Sequence, residues 1–160
     1  MSDCEMAELY DRYSSSVYRL AFSYCKNTAD AEDITQETFF KRFTSNVRFN
    51  DEKSEKAWLM TVAANKCRDM FRSLAYKYFY YSVPLEEANL TYETPDESAV
   101  YHAVMELAPK YRLVIHLYYY EGYSVAETAK IIGKSETAVQ TRLYRARKLL
   151  KKSLGEDVSL

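Results

Sequence analysis

From Met6 the apolar side chains Leu9, Tyr10, Tyr13, Val17, Leu20, Ala21 and Tyr24 return every three or four residues, a spacing that gathers them on one face only when the backbone is an α-helix. Little elsewhere interrupts such a period, because 160 residues contain only three Gly and three Pro. A chain so poor in turn-formers and 48% hydrophobic is expected to fold, and to fold into long helices. Its length allows one ordinary domain or two small ones.

End signals place the helices. Asn27 and Thr28 suit the N-cap of a second helix, running to about Phe43, whose first turn is expected to hold Asp30, Glu32 and Asp33 against the positive end of the helix dipole. Residues 44 to 53 lose the period and read as a loop. Ser54 is expected to open a third helix with Leu59, Val62, Ala63, Cys67, Met70 and Leu74 in one apolar stripe. Residues 76 to 95 combine a tyrosine cluster, an acid pair and two prolines without a period, which marks a linker between a domain at 1–75 and another at 96–160. Thr94, Pro95, Asp96 and Glu97 make a capping box with proline at the first helical position, for a helix ending before Pro109. The next helix, Pro109 to about Glu121, is expected to bury Val114, Ile115 and Tyr118 and to stop at Gly122.

Ser124 and Glu127 form a second capping box, for a short helix that faces inward through Ala129 and Ile132. Gly133 stands where a left-handed C-cap is wanted, and Ser135 then caps a last helix to about Lys152 with Val139, Leu143, Ala146 and Leu150 inward. Two helices joined by such a turn are a helix-turn-helix. The expected fold class is therefore all-α.

Charge and cysteine content narrow the function. The net charge of −1 conceals seven bases against one acid over residues 134 to 152, a candidate phosphate-binding surface, whereas residues 27 to 37 hold Asp30, Glu32, Asp33 and Glu37 with no base. Cys4, Cys25 and Cys67 lie far apart and offer no zinc-ligand spacing with His102 and His116, so no metal or other cofactor is expected. Cys25 and Cys67 fit the apolar pattern as small hydrophobes. No apolar run approaches the roughly 20 residues of a membrane helix, and MSDCEMAELYDRY is too polar and acidic for a signal peptide. No membrane insertion and a cytoplasmic location are expected.

In a helix-turn-helix the second helix enters the major groove, and exposed polar residues near its start reach the base edges. Here these are Glu136, Thr137, Gln140 and Thr141, with Gln suited to adenine and Glu to cytosine, while Arg142, Arg145 and Lys148 suit phosphates or guanine. A solvated basic face that complements the helix dipole is the plainer alternative. On the third helix Trp58, Thr61, Asn65, Arg68 and Arg72 line a second stripe whose aromatic, amide and guanidinium groups suit unstacked bases and a backbone. A half-buried Trp with solvated arginines explains that stripe as well.

The blocks DAEDITQETFFKRF (30–43), KAWLMTVAANKCRDMFR (56–72) and YSVAETAKIIGKSETAVQTRLYRARKLL (123–150) resemble, in order and spacing, those of extracytoplasmic-function (ECF) sigma factors of the sigma-70 family. The resemblance covers nearly the whole chain. It implies two helical domains, a sigma-2-like bundle and a sigma-4-like helix-turn-helix domain, joined by a flexible linker. It also implies a non-enzymatic promoter-recognition role, with core RNA polymerase, promoter DNA and an anti-sigma factor as partners. Asp33, Gln36 and Glu37 would dock on the beta-prime clamp helices, and the beta flap would be a second polymerase contact. Trp58, Asn65, Arg68 and Arg72 would meet the −10 element, with a flipped base captured by the loop at Arg48, Phe49 and Asn50. The last helix would read the −35 element, although Ala138, Val139, Gln140, Thr141 and Arg142 replace the family's usual T-V-K-S-R, which leaves the −35 sequence open.

Two other readings compete. A stand-alone helix-turn-helix regulator explains residues 94 to 152 but leaves the acidic second helix and the Trp58 stripe unused. A nuclease holding Mg²⁺ through Asp30, Asp33 and Glu37 lacks a companion group on any other helix.

Overall fold

A computed structural model describes residues 1–73 and 95–155, and the chain divides into two compact units, Met1–Leu85 and Glu86–Leu160. The linker expected at 76–95, together with Leu74 and the Thr94 cap, lies outside the described residues except at Pro95. All regular elements described are helical.

The first unit holds three helices, α1 (Asp3–Cys25), α2 (Thr28–Phe43) and α3 (Glu52–Arg72), with α1 packed against both others. The α1 helix begins earlier than its apolar period. Ser2 caps it by accepting from the Glu5 N–H while the Glu5 carboxylate takes the Ser2 N–H, and these bonds hold the Glu5 carboxyl below its ordinary range. The helix closes at Lys26, which adopts the left-handed conformation at φ 57° and returns its N–H to Phe22. Asn27 then caps α2, as its side chain accepts from the Asp30 N–H.

The start expected for α3 at Ser54 is corrected to Glu52, because the N-cap is Asp51, whose carboxylate accepts the Ser54 N–H at 2.6 Å. That bond lowers the Asp51 pKa. Ser54 is thus the recipient of the cap rather than its source. The buried arc of α3 is also wider than one stripe: Leu59, Val62, Ala63 and Cys67 are joined by Met60 and Ala64, while Met70 is only half-buried. In α1 Tyr10 is exposed, and Phe22 takes the buried place. Burial of each large side chain contributes about 1.5–3 kcal/mol, so Leu20, Phe22, Ile34, Phe39, Leu59 and Met60 dominate the cohesion of this unit.

The second unit comprises α4 (Pro95–Met105), α5 (Pro109–Ile115), a π-helical turn (His116–Tyr120), α6 (Val125–Ile132) and α7 (Glu136–Leu154). Helix α7 packs against α4, α5 and α6. Arg112 is fully buried and donates to the Leu107 carbonyl, tying α5 to the end of α4. The single helix expected to Glu121 instead widens at His116, where the Glu121 N–H reaches the His116 carbonyl five residues back. Tyr118 is consequently half-buried rather than buried. Gly122, at φ 76°, turns the chain toward the next cap.

The Ser124–Glu127 capping box, the left-handed Gly133 at φ 68°, and the Ser135 cap all form as expected. Val139, Leu143, Ala146 and Leu150 are buried along α7. The pair α6–α7 is a helix-turn-helix.

Candidate nucleic-acid interface

On α7 the row opposite the buried one consists of Glu136, Thr137, Gln140, Thr141, Arg145 and Lys148, all exposed, with Arg142 half-buried beside it. One residue on this row was not anticipated. Tyr144, four residues after Gln140, is 59% exposed, and the Lys148 ammonium lies 5.3 Å from its ring centre. The i, i+4 spacing from Gln140 was the available signal.

Arg147 is directed elsewhere. Its Nε donates to the Tyr119 hydroxyl at 2.7 Å, and its guanidinium lies 5.9 Å and 5.6 Å from the Tyr118 and Tyr119 rings. The widened turn thereby presents two tyrosines to α7, so that this cation fastens the helix instead of facing solvent with Arg145 and Lys148.

On α3 the second stripe faces outward: Asn65 and Arg72 are exposed, and Trp58, Thr61 and Arg68 are half-buried. Asn65 accepts a hydrogen bond from Arg68 at 2.5 Å, so amide and guanidinium are pre-set as a pair, and Arg72 meets Asp69 at 3.4 Å. In the preceding loop Arg48 and Asn50 are exposed, but Phe49 is half-buried with its ring edge-on to Trp58 at 5.8 Å. Phe49 also carries the Arg42 guanidinium 5.0 Å from its ring centre.

Arg42 is the residue that sequence patterns missed in this region. It is buried near the end of α2, and its Nε and Nη2 both donate to Glu55 Oε2 on α3, at 2.8 and 2.5 Å. This pair of a buried guanidinium and a half-buried carboxylate ties together the two ends of the loop that carries Arg48, Phe49 and Asn50. Nothing periodic marks it, because its members sit on different helices.

On α2 the residues Asp33, Gln36 and Glu37 share one exposed face, and Phe40, 70% exposed, continues it. The expectation of three acids in the first turn of α2 is corrected: with the helix starting at Thr28, Asp30 is the one acid there, and Glu32 and Asp33 fall in the second turn. Glu37 has a partner in Lys66, 3.4 Å away on α3. With side chains this exposed, that bridge contributes little to stability.

The family model for sigma-70 region 2 matches residues 9–76, and that for sigma-70 region 4 matches residues 97–150. The chain is 34% identical to the ECF RNA polymerase sigma factor BldN of Streptomyces coelicolor over 93% of its own length, though it spans only 60% of that relative. It is 30% identical to the ECF sigma factor SigX of Bacillus subtilis, covering 91% of this chain and 81% of the relative. Against SigL of Mycobacterium tuberculosis the identity is 31%, with 94% and 89% covered. Among solved structures, the sigma factor RpoE from its complex with the anti-sigma factor NepR of Bartonella quintana shares the fold, with a TM-score of 0.76 at 23% identity over 96% of this chain and 99% of that one. CnrH, solved with the cytosolic domain of CnrY, aligns with a TM-score of 0.67 at 25% identity over 98% and 92% of the two chains.

Removing Arg42, which is buried, leaves the half-buried Glu55 carboxylate without its ion pair. Arg42→Met is expected to destabilise the first unit by about 3 kcal/mol, and the double substitution with Glu55→Leu to restore most of the loss. Urea unfolding followed by the fluorescence of Trp58, the single tryptophan, measures both. A loss below about 0.5 kcal/mol for the single variant would place the pair with ordinary surface bridges.

Proposed function

The chain belongs to the sigma-70 family of RNA polymerase sigma factors, in its extracytoplasmic-function group, and on that premise we propose that it binds core polymerase and directs it to promoters whose −10 and −35 elements its two units recognise. The observation that carries this reading is the coexistence, in one chain, of an exposed acidic and aromatic face on α2, an outward Trp58–Asn65–Arg68 stripe on α3 and a basic helix-turn-helix. A duplex-binding regulator has use only for the last of these. Sigma factors are not enzymes, and the role proposed here is binding and strand separation.

In this scheme Asp33, Gln36 and Glu37 meet the beta-prime clamp helices, with Phe40 adding an apolar contact, and the second unit also meets the beta flap. The residues Glu136, Thr137, Gln140 and Thr141 face bases of the −35 duplex, with Arg142, Arg145 and Lys148 holding its phosphates. On the first unit Trp58, Asn65, Arg68 and Arg72 track the −10 strand, and the loop at Arg48, Phe49 and Asn50 takes up an unstacked base. Extrusion costs a few kcal/mol, which contacts in a pocket offset. An anti-sigma factor is the proposed inhibitor, as the solved relatives RpoE and CnrH were captured with NepR and with the cytosolic domain of CnrY. No helix among the described residues is long and apolar enough to cross a membrane, and we place the protein in the cytoplasm, where its polymerase resides.

Reversing charge at Asp33 and Glu37 to Lys is expected to weaken retention by core enzyme at least about ten-fold while circular dichroism stays unchanged, because the Lys66 bridge lost with Glu37 is worth little. Undiminished retention of the folded double variant would remove α2 from the polymerase contact.

In the second unit, Gln140→Ala is expected to alter the ranking of promoters in a library of −35 variants, while Lys148→Ala lowers transcription from all of them alike. The same uniform loss for both substitutions would mean that Gln140 does not face the bases.

A further inference from the structure

The end of α1 meets the second half of α3 at two sulfur atoms. Cys25 is the final residue of α1, Cys67 lies five residues before the end of α3, and their thiols stand in hydrogen-bond contact. Neither is more than 2% exposed. Beside them Tyr24 and Phe71, from the same two helices, meet edge-on with ring centres 5.8 Å apart. The third cysteine, Cys4, is exposed near the opposite end of α1. Filling this space asks only for small apolar side chains, so packing gives no reason for sulfur on both helices.

Burial pushes the Cys67 thiol well above its ordinary range, the Cys25 thiol beside it adds to the rise, and the Arg68 guanidinium works against both. While packed, the pair is therefore a poor nucleophile. Helix ends open locally at far less cost than global unfolding, and Cys25 occupies one. Opening there lifts the burial penalty and leaves the Arg68 charge in place, which favours the Cys67 thiolate. A thiolate attacks a hydroperoxide, and a second thiol held alongside captures the product before it oxidises further. We propose that Cys25 and Cys67 form a peroxide-responsive dithiol that closes reversibly to a disulfide pinning α1 to α3. The Cys67 thiolate displaces hydroxide from hydrogen peroxide, giving a sulfenic acid, and the hydroxide takes up the thiol's proton as water. The Cys25 thiol then displaces the sulfenic hydroxyl as a second water and forms the S–S bond. Two thiols lose two electrons and two protons, and the peroxide gains them.

Cys67 lies between Asn65 and Arg68, whose side chains form the outward hydrogen-bonded pair of α3. Sulfurs in hydrogen-bond contact must close to about 2.0 Å to bond, which draws α3 against α1. A recognition constellation tolerates displacements of only about 0.5 Å. Closure of the disulfide thus shifts the Asn65–Arg68 pair and lowers promoter opening. That consequence rests on the −10 role proposed above, whereas the disulfide does not. In a reducing cytoplasm the pair rests as the dithiol, where disulfides are transient and signal oxidation.

The test uses the full chain carrying Cys4→Ser, which removes the exposed thiol and leaves the pair alone. The folded protein is treated with hydrogen peroxide, cleared of it with catalase, and alkylated in denaturant before peptide mass spectrometry. A Cys25–Cys67 cross-link, two hydrogens lighter than the free peptides and reversed by dithiothreitol, is expected in most molecules. Alkylated thiols at both positions, or sulfinic acid without a cross-link, overturns the proposal. The oxidised, catalase-treated protein is then joined with core polymerase on a promoter that the reduced protein opens, and permanganate reactivity is measured. Open complexes are expected to fall at least about five-fold, the lower end of a coupling between distinct sites, and to return with dithiothreitol. Adding Cys67→Ala should abolish the response to peroxide, and Cys25→Ala, at the helix end, serves where that variant fails to fold. Equal opening by cross-linked and reduced protein overturns the pinning of α3. If the reduced protein opens no promoter with core enzyme, the sigma-factor reading fails, and mass spectrometry alone decides the disulfide.

Discussion

Val139, Leu143, Ala146 and Leu150, none more than 2% exposed, anchor α7 against the other helices of its unit, and with that row buried the helix has no freedom to choose what it shows outward. Period 3.6 then dictates that Thr137, Gln140, Thr141, Tyr144 and Lys148 share the opposite side. The same constraint governs α3, where Leu59, Ala63 and Cys67 face inward and Asn65 and Arg72 outward. The candidate recognition surfaces are the complements of cores. A substitution that rotated α7 by one residue would bury Gln140 and expose Val139, at a cost no DNA contact offsets.

Features set by nearest neighbours along the chain were legible before any coordinates. The Ser124–Glu127 box, Gly133 and the Ser135 cap each depend on residues three or four apart, and each forms as the sequence implies. Two local readings went astray for local reasons. Asp51 and Ser54 are both good caps, and only the backbone shows which accepts from which. The π-helical turn at His116 keeps the apolar spacing of an α-helix, so periodicity alone does not reveal it. The Arg42–Glu55 pair was illegible for a deeper reason, since an ion pair between helices leaves no pattern in either one. Phe40 and Tyr144 were hidden in plain view: aromatic residues are ordinarily assigned to cores, and these two are the most exposed aromatic side chains among the described residues.

In the proposed role the two units would divide the physical work of promoter recognition. Reading a closed duplex needs hydrogen-bonding side chains on a rigid helix plus phosphate contacts, which α7 offers with its cap, its glycine turn and its basic row. Holding an opened strand needs flat apolar surfaces and edge-reading polar groups, which in the proposed role the Phe49 and Trp58 rings and the Asn65–Arg68 pair would supply. The acidic face of α2 serves neither, and its carboxylates would repel a phosphate backbone. It acquires a use once the partner is a polymerase.

The proposed dependence on core polymerase is tested by comparing the protein with and without core enzyme on one promoter duplex. Gel-shift and permanganate reactivity of −10 thymines, read on the same samples, should show neither a stable complex nor reactive thymines for the protein alone, and both once core enzyme is added. Tight, sequence-selective binding of the duplex by the protein alone, unchanged by core and without strand opening, would rule out the sigma-factor role and identify a stand-alone regulator instead.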